Sequence, residues 1–443
     1  EPALAGSKIT VSIYDPILIF AWYAVIPDKP PLEDIQQDVY DCFMGSFDSL
    51  GKIFNLNRKR DNRLAGWIFR KTSDIREEEI KKFPGSFRMG GFDYDRENGV
   101  VRYSFTQCPN AEFAKRHHME DVLPVMCNCD HMAMQKLHAA LIRQGTCCTG
   151  ACCDYCIVGD QSPMAKAYEL VKKEKFDYIY HIAAITPLPD CQLNPSLAIE
   201  TNVVGTINIL EAARKYGVKK VIFSSTSAVY ENTESFPSKE DIVKTPSLIY
   251  SLGKYTAESF CKSYHDVYHM NIAVLRFANV YGPHLDCLRL QPPVAGYIIR
   301  ELYYDRSPVL HSTGEQKRDF IYVDDLIKLA IKVKEFDGYD TFNVSSNETH
   351  TINEMFEIIR NYMNKDIQAE YVESSHYWYR YPGLYEGAYP ISESVLDHEV
   401  MKYTLLDNSH GFEVHGWKPE VSFKEGLERT VDYSIKVLKN AQS

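Results

Sequence analysis

Strand-like and helix-like segments alternate along the chain from residue 164 onward, and this alternation constrains the fold most strongly. The strand-like apolar runs lie at 177–184, 218–224 and 271–277. Helical patterns separate them, one at 196–216 and one over the segment that holds Tyr250. Strands that alternate with helices form parallel sheets with right-handed crossovers. We therefore expect an α/β fold with a parallel sheet for residues 164–443.

Two groups of polar residues lie at positions where reactive side chains are found in such folds. The second strand ends in hydroxyl residues that include Ser224 and Thr226, and reactive groups gather at the carboxyl ends of parallel strands. Tyr250 and Lys254 are four apart on a helical segment, so they share a face. A nearby ammonium favours the anion of a phenol. We therefore expect Lys254 to lower the pKa of Tyr250, and Thr226 to hold a substrate hydroxyl.

The order Thr226, then Tyr250-x-x-x-Lys254, resembles the catalytic set of the short-chain dehydrogenases. Five more segments occur in the family's order: HIAA (181–184), ETNVVGTINILEAA (200–213), RFANVYGP (276–283), KRDFIYVDDL (317–326) and GWKPEVSFKEGL (416–427). Over residues 164–435 the chain thus resembles the extended branch, the NAD-dependent nucleotide-sugar epimerases and dehydratases. Its motifs are most similar to those of UDP-glucose 4-epimerases.

This resemblance implies a partial Rossmann-type sheet with a small C-terminal substrate lobe, NAD as cofactor and a nucleotide-sugar as substrate. It also implies a homodimer formed by the helices near 200–215 and 250–268. The implied catalytic residues are Thr226, Tyr250 and Lys254. The implied cofactor-binding residues are His181, Ala183, Ala184, Asn202, Ser224, Tyr250 and Lys254, and the implied substrate-binding residues are Thr226, Asn279 and Arg318.

The residues after Thr226 favour one reaction type within this family. The sugar 4,6-dehydratases that the sequence resembles carry Asp-Glu directly after this Thr, whereas Ser227 and Ala228 stand here. Without that acid and base, dehydration has no protonating group. We therefore favour an epimerase. Asp324 and Asp325, at the start of a helical segment, are interpreted as helix caps.

A glycine-rich turn for the cofactor pyrophosphate is missing from the sequence. Such a turn follows a strand as G-x-x-G-x-x-G and lets the backbone approach the phosphates, and neither MGGF (89–92) nor TGACC (149–153) fits. The first strands that precede this position in the resembled family are missing as well. The strand at 177–184 should therefore be an unpaired sheet edge, which the N-terminal domain, a partner chain or another strand would cover. A catalytically inactive sugar-nucleotide-binding or scaffold protein is an alternative function.

Residues 1–160 show a different, α+β pattern and form a separate predicted domain. Helical spacing covers 31–56 and about 110–143, and the runs 86–95 and 99–107 flank a turn, which indicates a β-hairpin. Eight of the twelve cysteines lie between 108 and 156. A secreted disulfide framework is one explanation, but a local thiol-based site or plain buried packing fits the rest of the sequence better.

FDYDRENGVVRYSFTQCPNAEF and the cysteine-rich segment after it resemble the L-2-amino-thiazoline-4-carboxylic acid hydrolase-like family. The matching positions are Cys108, Cys127 with Asp130, and Thr146, Gly150 and Cys153 with Asp154. The resemblance implies a second alternative function, Cys-dependent hydrolysis of a C–N bond. The cysteine spacing does not fit a zinc site, and we expect no metal.

Composition and hydropathy limit the possible binding partners and cellular location of the protein. A net charge of −11 argues against a general binder of nucleic acid or anionic membranes. No apolar run approaches the ~18–20 residues that span a bilayer, and no secretory signal is visible at the start of the sequence. We therefore expect a cytoplasmic protein.

Overall fold

The computed structural model describes residues 19–32, 34–143, 147, 152–289 and 292–441. The chain divides into two compact units, Glu1–Glu174 (unit 1) and Lys175–Ser443 (unit 2). Unit 1 therefore includes a helix at Pro163–Glu174, which the sequence pattern groups with the segment that follows it. None of the helices in the described part of the chain is both long and apolar enough to cross a membrane.

Unit 1 is built on a four-stranded antiparallel sheet in the order β1-β2-β4-β3. Its strands are β1 (Arg88–Asp95), β2 (Val100–Gln107), β3 (Ala139–Ile142) and β4 (Cys153–Gly159). The predicted hairpin is confirmed as β1–β2, and Gly99 in its turn takes a φ of +65°, which glycine adopts without steric cost. Strand β4 lies within the cysteine-rich segment, where no strand was predicted.

Helices surround this sheet. They are α1 (19–25), α2 (Gln36–Met44), α3 (Ser46–Leu50), α4 (Lys59–Lys82), α5 (Pro109–Arg116), α6 (Leu123–Lys136) and α7 (Pro163–Glu174). The prediction of one helix over about 110–143 is wrong in detail, because that stretch forms α5, α6 and then β3. A core that includes Tyr40, Val101 and Ile157 lies between the helices and the sheet.

Unit 2 contains the predicted parallel sheet, in the order β5-β6-β7-β11. The strands are β5 (Tyr178–His181), β6 (Lys220–Thr226), β7 (Ile272–Phe277) and β11 (Tyr339–Val344). Strand β6 is buried along nearly its whole length, as expected for a strand covered on both faces. Within the described residues β5 pairs with β6 alone, so the predicted sheet edge is confirmed.

The smaller strands of unit 2 form two further sheets. One has the order β12-β10-β8 and the other pairs β9 with β13. Their bounds are β8 (Asn279–Tyr281), β9 (Val309–His311), β10 (Lys317–Tyr322), β12 (Thr349–Thr351) and β13 (Glu370–Val372). A core that includes Ile298, Phe356 and Leu427 packs beside them, which gives the expected C-terminal lobe.

The helices of unit 2 alternate with its strands as predicted. They are α8 (Leu188–Leu193), α9 (Pro195–Ile199), α10 (Gly205–Tyr216), α11 (Ile249–Tyr268), α12 (Val294–Tyr303), α13 (Val323–Lys332), α14 (Ile352–Tyr362), α15 (Glu393–Met401), α16 (Ser409–His415) and α17 (Phe423–Asn440). A π-helical turn, Glu200–Val204, joins α9 to α10. The prediction of one helix at 196–216 thus covers three consecutive helical pieces.

Candidate active site

The N-terminus of α11 is held by side chains from outside the helix. Leu248, its N-cap residue, makes no side-chain cap of its own. Instead the carboxylate of Glu231 accepts from the N–H of Leu248 at 2.9 Å, and the side-chain oxygen of Gln192 accepts from the N–H of Ile249 at 2.7 Å. The first N–H groups of a helix have no partner within it, so these bonds fix the turn that carries Tyr250.

Thr226 and Tyr250, the two predicted proton-handling residues, lie together. Thr226 ends β6, and its Oγ1 accepts from the N–H of Ala228 at 3.2 Å. Its side chain interacts with the phenol of Tyr250 and lowers the pKa of that phenol, but burial raises the pKa by more, so the net shift is upward. The expectation that Lys254 lowers this pKa is therefore wrong for the protein alone, because desolvation of the phenol dominates.

Lys254 is buried, at 3% exposure, one turn along α11 from Tyr250. Its Nζ donates to the carbonyl oxygen of Ser224 at 2.6 Å and lies 4.6 Å from the centre of the Phe223 ring. Burial lowers the pKa of Lys254 to about 8, and the carboxylate of Glu258 opposes that shift. The ammonium is thus held at the end of β6, beside the strand that presents Thr226.

A buried ion pair supports this end of the sheet. Arg276 on β7 donates to both carboxylate oxygens of Glu258, with its Nη2 2.7 Å from Oε2. Both side chains are nearly inaccessible to solvent. The hydroxyl of Ser225 also donates to Glu258, so the pair joins α11, β6 and β7 directly behind Lys254. A doubly bonded Arg–carboxylate pair fixes orientation as well as charge.

Three of the predicted cofactor-binding side chains are used within the protein. Asn202 accepts from the N–H of Ile185 at 2.8 Å and donates to its carbonyl at 2.9 Å. His181 shares a 3.0 Å hydrogen bond with Thr206, and burial, with Lys254, lowers the pKa of His181 to about 4. The hydroxyl of Ser224 donates to the carbonyl of His181. These residues shape the loop after β5.

The residues present fit only one end of NAD. Ala183 and Ala184, the predicted cofactor contacts after β5, are small residues that are at least partly exposed, so they would not block a nicotinamide ring. The pyrophosphate end lacks its usual cradle, because no glycine occurs between Lys175 and Gly205, and Gly205 begins α10. The glycine-rich strand-to-helix turn that would hold the phosphates is therefore absent from unit 2.

Arg318, a predicted substrate contact, is partly engaged by the protein. Its Nη2 donates to the carbonyls of Glu399 and Val400, both at 2.9 Å, while its Nη1 is buried without a partner in the described structure. Burial lowers the pKa of Arg318 to about 10. Asn279, the other predicted contact, is exposed and donates to the carbonyl of Asp319. Arg318 therefore has one N–H group oriented for an anion.

The interpretation of Asp324 and Asp325 as helix caps needs correction. Both lie in the first turn of α13, whose N-cap residue is Tyr322. The carboxylate of Asp325 accepts instead from the N–H groups of Glu420 and Val421, at 3.0 and 2.9 Å. Asp325 thus ties α13 to the segment before α17.

In unit 1, four predicted residues line one cavity of about 360 Å³: Cys108, Cys127, Asp130 and Cys153. Asp154 does not join them, because successive residues of β4 face opposite sides of the sheet and the cavity takes Cys153 and Tyr155. Thr146 and Gly150 lie outside the described residues. The sequence therefore predicted most of a real cluster.

The electrostatics of this cavity keep its thiols protonated. Burial raises the pKa of Cys127 strongly and that of Cys153 to about 12. Burial also raises the pKa of Asp130, although Arg143, 3.5 Å away, lowers it. The eleven cysteines that the structure describes are free thiols, and the described residues contain no cluster of His, Cys, Asp or Glu that could hold a metal.

Sequence reasoning missed three side chains that shape these sites: Glu231, Gln192 and Arg76. Glu231 and Gln192 act on α11 from other elements, and Arg76 lines the cavity of unit 1. Each makes its contact through tertiary folding, so no local spacing marks it.

Two stretches of the chain match family models of known proteins. Residues 19–157 match the family model of L-2-amino-thiazoline-4-carboxylic acid hydrolase. Residues 137–345 match the model of the NAD dependent epimerase/dehydratase family. The two matches overlap over 137–157, which contain β3 and the first five residues of β4 in unit 1.

Individual relatives agree with the match to the epimerase/dehydratase family. The chain is 30% identical over 260 residues to a UDP-glucuronate 4-epimerase of Thermodesulfobacterium geofontis, which covers 58% of this chain and 72% of that protein. It is 29% identical over 266 residues to a putative UDP-glucose 4-epimerase of Methanocaldococcus jannaschii, over 60% of this chain and 79% of that one. The UDP-glucose 4-epimerase structure of Thermotoga maritima, with UDP-glucose, superposes with a TM-score of 0.55 at 28% identity, over 63% of this chain and 85% of that chain.

The parallel sheet, the Thr226–Tyr250–Lys254 arrangement and these matches lead to one conclusion. The chain belongs to the NAD-dependent epimerase/dehydratase family.

Proposed function

We propose that unit 2 catalyses the NAD-dependent epimerisation of a nucleotide-sugar. The observation that carries this proposal is the position of the buried ammonium of Lys254, whose Nζ donates to the Ser224 carbonyl at 2.6 Å near the end of β6, the strand that ends at Thr226. Tyr250 lies one helical turn from Lys254 on α11. A hydroxyl, a phenol and a cation at the junction of β6 and α11 are what proton removal from a sugar hydroxyl requires.

Each residue has one task in this reaction. Thr226 orients the sugar hydroxyl, and Tyr250 accepts its proton. Lys254 places positive charge near the phenolate that forms, which favours the anion. The dinucleotide, when bound, accepts and returns a hydride. Arg318 offers its buried Nη1 to a phosphate oxygen of the nucleotide, because a guanidinium donates well to phosphate.

The absence of an Asp-Glu pair after Thr226 supports epimerisation over dehydration. Ser227 and Ala228 follow Thr226 in a short 3₁₀ turn, and neither side chain can protonate a leaving hydroxyl. The family contains both reactions, so product analysis decides: an epimer without loss of water supports the proposal, and a keto-deoxy sugar contradicts it.

The test of this function begins with cofactor binding. Calorimetric titration with NAD, together with an absorbance scan for copurified dinucleotide, asks whether the site is completed despite the missing glycine turn. We expect binding in the micromolar range, and Tyr250→Phe to abolish turnover of nucleotide-sugars. No binding up to millimolar NAD would sink the proposal. Nucleotide-sugar binding without NAD or turnover would instead support an inactive binding protein.

A homodimer through α10 and α11 is part of the same proposal. Val267 and Tyr268 at the end of α11 are 61% and 49% exposed. Neighbouring exposed apolar side chains commonly mark an interface. Sedimentation velocity should therefore show a dimer, and Val267→Asp should shift it to monomer. A reducing compartment such as the cytoplasm fits the free thiols of the described residues.

A second candidate function belongs to unit 1, where one cavity gathers Cys108, Cys127, Asp130 and Cys153. We propose Cys-dependent hydrolysis of a C–N bond there, with Asp130 as the group nearest to activate a thiol that burial keeps protonated. Hydrolysis of small cyclic amides, measured in the three Cys→Ala variants, tests it. Loss of activity in one variant identifies the nucleophile, and unchanged activity in all three refutes the proposal.

A further inference from the structure

The outer side of α4 carries large apolar side chains that are exposed. Leu64, Trp67, Ile68 and Ile75 are each between 45% and 57% exposed. At about 3.6 residues per turn, their spacing places them on one side of the helix, and we call these four residues the outer stripe of α4. Apolar side chains that are exposed together commonly mark an interaction surface.

The opposite side of α4 already packs within unit 1. It carries the buried residues Ala65, Gly66 and Ser73, and a Cβ atom added at Gly66 would lie 2.6 Å from the Tyr94 ring of β1. A surface helix normally turns its large apolar residues toward the core and its polar residues outward. Because α4 also presents large apolar residues outward, it has a second packing face.

The charges beside the outer stripe differ between the two halves of α4. Arg60 and Arg63, in the first half, are basic and exposed, whereas Asp74 and Glu78, in the second half, are acidic and exposed. The two lysines that end the helix lie beyond the stripe. A helix that is basic in its first half and acidic in its second complements a second copy of itself when the two run antiparallel.

We propose that the outer stripe of α4 packs against the outer stripe of a second copy of this chain, with the two helices antiparallel and related by a two-fold axis near Phe69. In this register Leu64 faces Ile75 of the second copy, and Trp67 faces Lys71 of that copy. The stem of a lysine covers an aromatic ring, and its ammonium is attracted to the ring face. The two-fold axis repeats each contact, so the same patch forms both halves of the interface.

The charged residues agree with this orientation. The same register sets Arg60 opposite Glu78 and Arg63 opposite Asp74, so opposite charges flank the apolar contacts and fix the orientation, as in coiled coils. A parallel pair would instead set Arg60 against Arg60 and Asp74 against Asp74, which is unfavourable. An anionic lipid surface suits the stripe poorly, because it would repel Asp74 and Glu78.

The interface is small, so the association should be weak. A helix of 24 residues is ~36 Å long, and one such helix on each side buries less than the roughly 800 Å² per partner of a standard interface. We therefore expect a dissociation constant of roughly 10–100 μM. The inference uses no residue of either proposed active site and none of the proposed α10–α11 interface, so its outcome is independent of both proposed functions.

The experiment is sedimentation velocity on the full chain with Val267→Asp, which removes the dimer proposed through α10 and α11. We expect a monomer at about 1 μM and mainly a dimer at about 200 μM. Adding Trp67→Asp should raise the dissociation constant at least about tenfold, because each dimer loses two central aromatic contacts.

Leu170→Asp is the matched control for Trp67→Asp. Leu170 is a large apolar residue of unit 1 with similar exposure, 53%, and it lies on α7. Helix α7 packs on β3 and β4, whereas α4 packs on β1, at the other end of the sheet. Leu170→Asp should therefore leave the dimer unchanged.

Exchange of charges tests the orientation. Arg63→Asp or Asp74→Arg alone creates two like-charge contacts in each dimer, and each variant should raise the dissociation constant at least about fivefold. The double variant Arg63→Asp/Asp74→Arg restores opposite charges across the interface. Its dissociation constant should return to within about twofold of that of the parent.

Three results would overturn the inference: a Val267→Asp chain that stays monomeric at about 200 μM, a dimer unchanged by Trp67→Asp, or a double charge variant that associates no better than either single variant. If the chain stays monomeric, cosedimentation with phosphatidylcholine vesicles would assign the stripe to a lipid surface instead. Circular dichroism checks that each variant folds. If Trp67→Asp does not fold, Leu64→Asp on the same stripe decides, with the same expected loss of the dimer.

Discussion

The ammonium nitrogen of Lys254 lies 2.6 Å from the carbonyl oxygen of Ser224. This bond places a buried cation at the carboxyl end of β6, beside the strand end where Thr226 meets Tyr250. Because burial lowers the pKa of Lys254 to about 8, the positive charge that favours a tyrosinate is present below that pH and is lost above it.

The rate should therefore depend on the charge of Lys254. As pH rises through about 8, the ammonium loses its proton, so we expect kcat/KM to fall above that pH. Lys254→Met should lower kcat by roughly 10²–10⁴-fold and abolish this limb of the pH profile. Lys262→Met, at an exposed position on the same helix, is the control. A limb near pH 8 that persists in Lys254→Met would assign the titration to another group.

Removing only one charge of the buried Arg276–Glu258 ion pair should strongly destabilise the protein. Glu258→Gln leaves a buried guanidinium without its carboxylate, and we expect the free energy of unfolding to fall by about 3–5 kcal/mol. The double variant Glu258→Leu/Arg276→Met should be more stable than Glu258→Gln, because it buries no unpaired charge. Urea denaturation measures both. A Glu258→Gln variant as stable as the wild type would show that Arg276 finds another partner.

Local periodicity was enough to predict the elements that carry the site. The apolar runs of β6 and β7 and the helical spacing around Tyr250 and Lys254 come from neighbours in sequence, and the structure contains them where the patterns place them. The fold class follows from their alternation. The open edge at β5 followed from the missing first strands.

The elements that escaped prediction depend on contacts distant in sequence. Strand β3, AALI, reads as the end of a helical pattern and becomes a strand because it pairs with β4. Strand β4 is rich in cysteine, and its partners β2 and β3 flank it only after folding. The pKa of Tyr250 was predicted from its neighbour Lys254, whereas its burial, which dominates, is a property of the whole unit.

The two hydrogen bonds between the Asn202 side chain and the Ile185 backbone lead to a prediction about how stability depends on pH. Asn202→Asp keeps the acceptor but places a carboxylate oxygen next to the Ile185 carbonyl oxygen. We therefore expect the free energy of unfolding to fall by about 1–3 kcal/mol at pH 7.5. The loss should shrink at pH 5, since burial raises the pKa of a carboxyl and protonation restores a donor. Urea denaturation at both pH values tests this. Asn361→Asp, at an exposed amide on α14, should stay within about 0.5 kcal/mol of wild type.

Glu231 should act on the reaction through the helix that carries Tyr250. Its carboxylate accepts from the N–H groups of Ser247 and Leu248 and from the hydroxyl of Ser251, so its removal frees the first turn of α11. We expect Glu231→Ala to destabilise the protein by about 1–3 kcal/mol. Because a small displacement of a reacting group slows catalysis strongly, kcat should fall by roughly tenfold or more, whereas KM for the nucleotide-sugar should change little.

A matched pair of variants separates positioning from general loss of stability. Glu231→Gln keeps one acceptor for the backbone N–H groups, so it should recover part of the kcat that Glu231→Ala loses. Glu234→Ala, three residues further at an exposed position, should change neither kcat nor stability. Rates are compared well below the unfolding transition of each variant. A folded Glu231→Ala protein with wild-type kcat would show that Tyr250 is positioned by other contacts, of which the bond from Ile249 to Gln192 is the first to test.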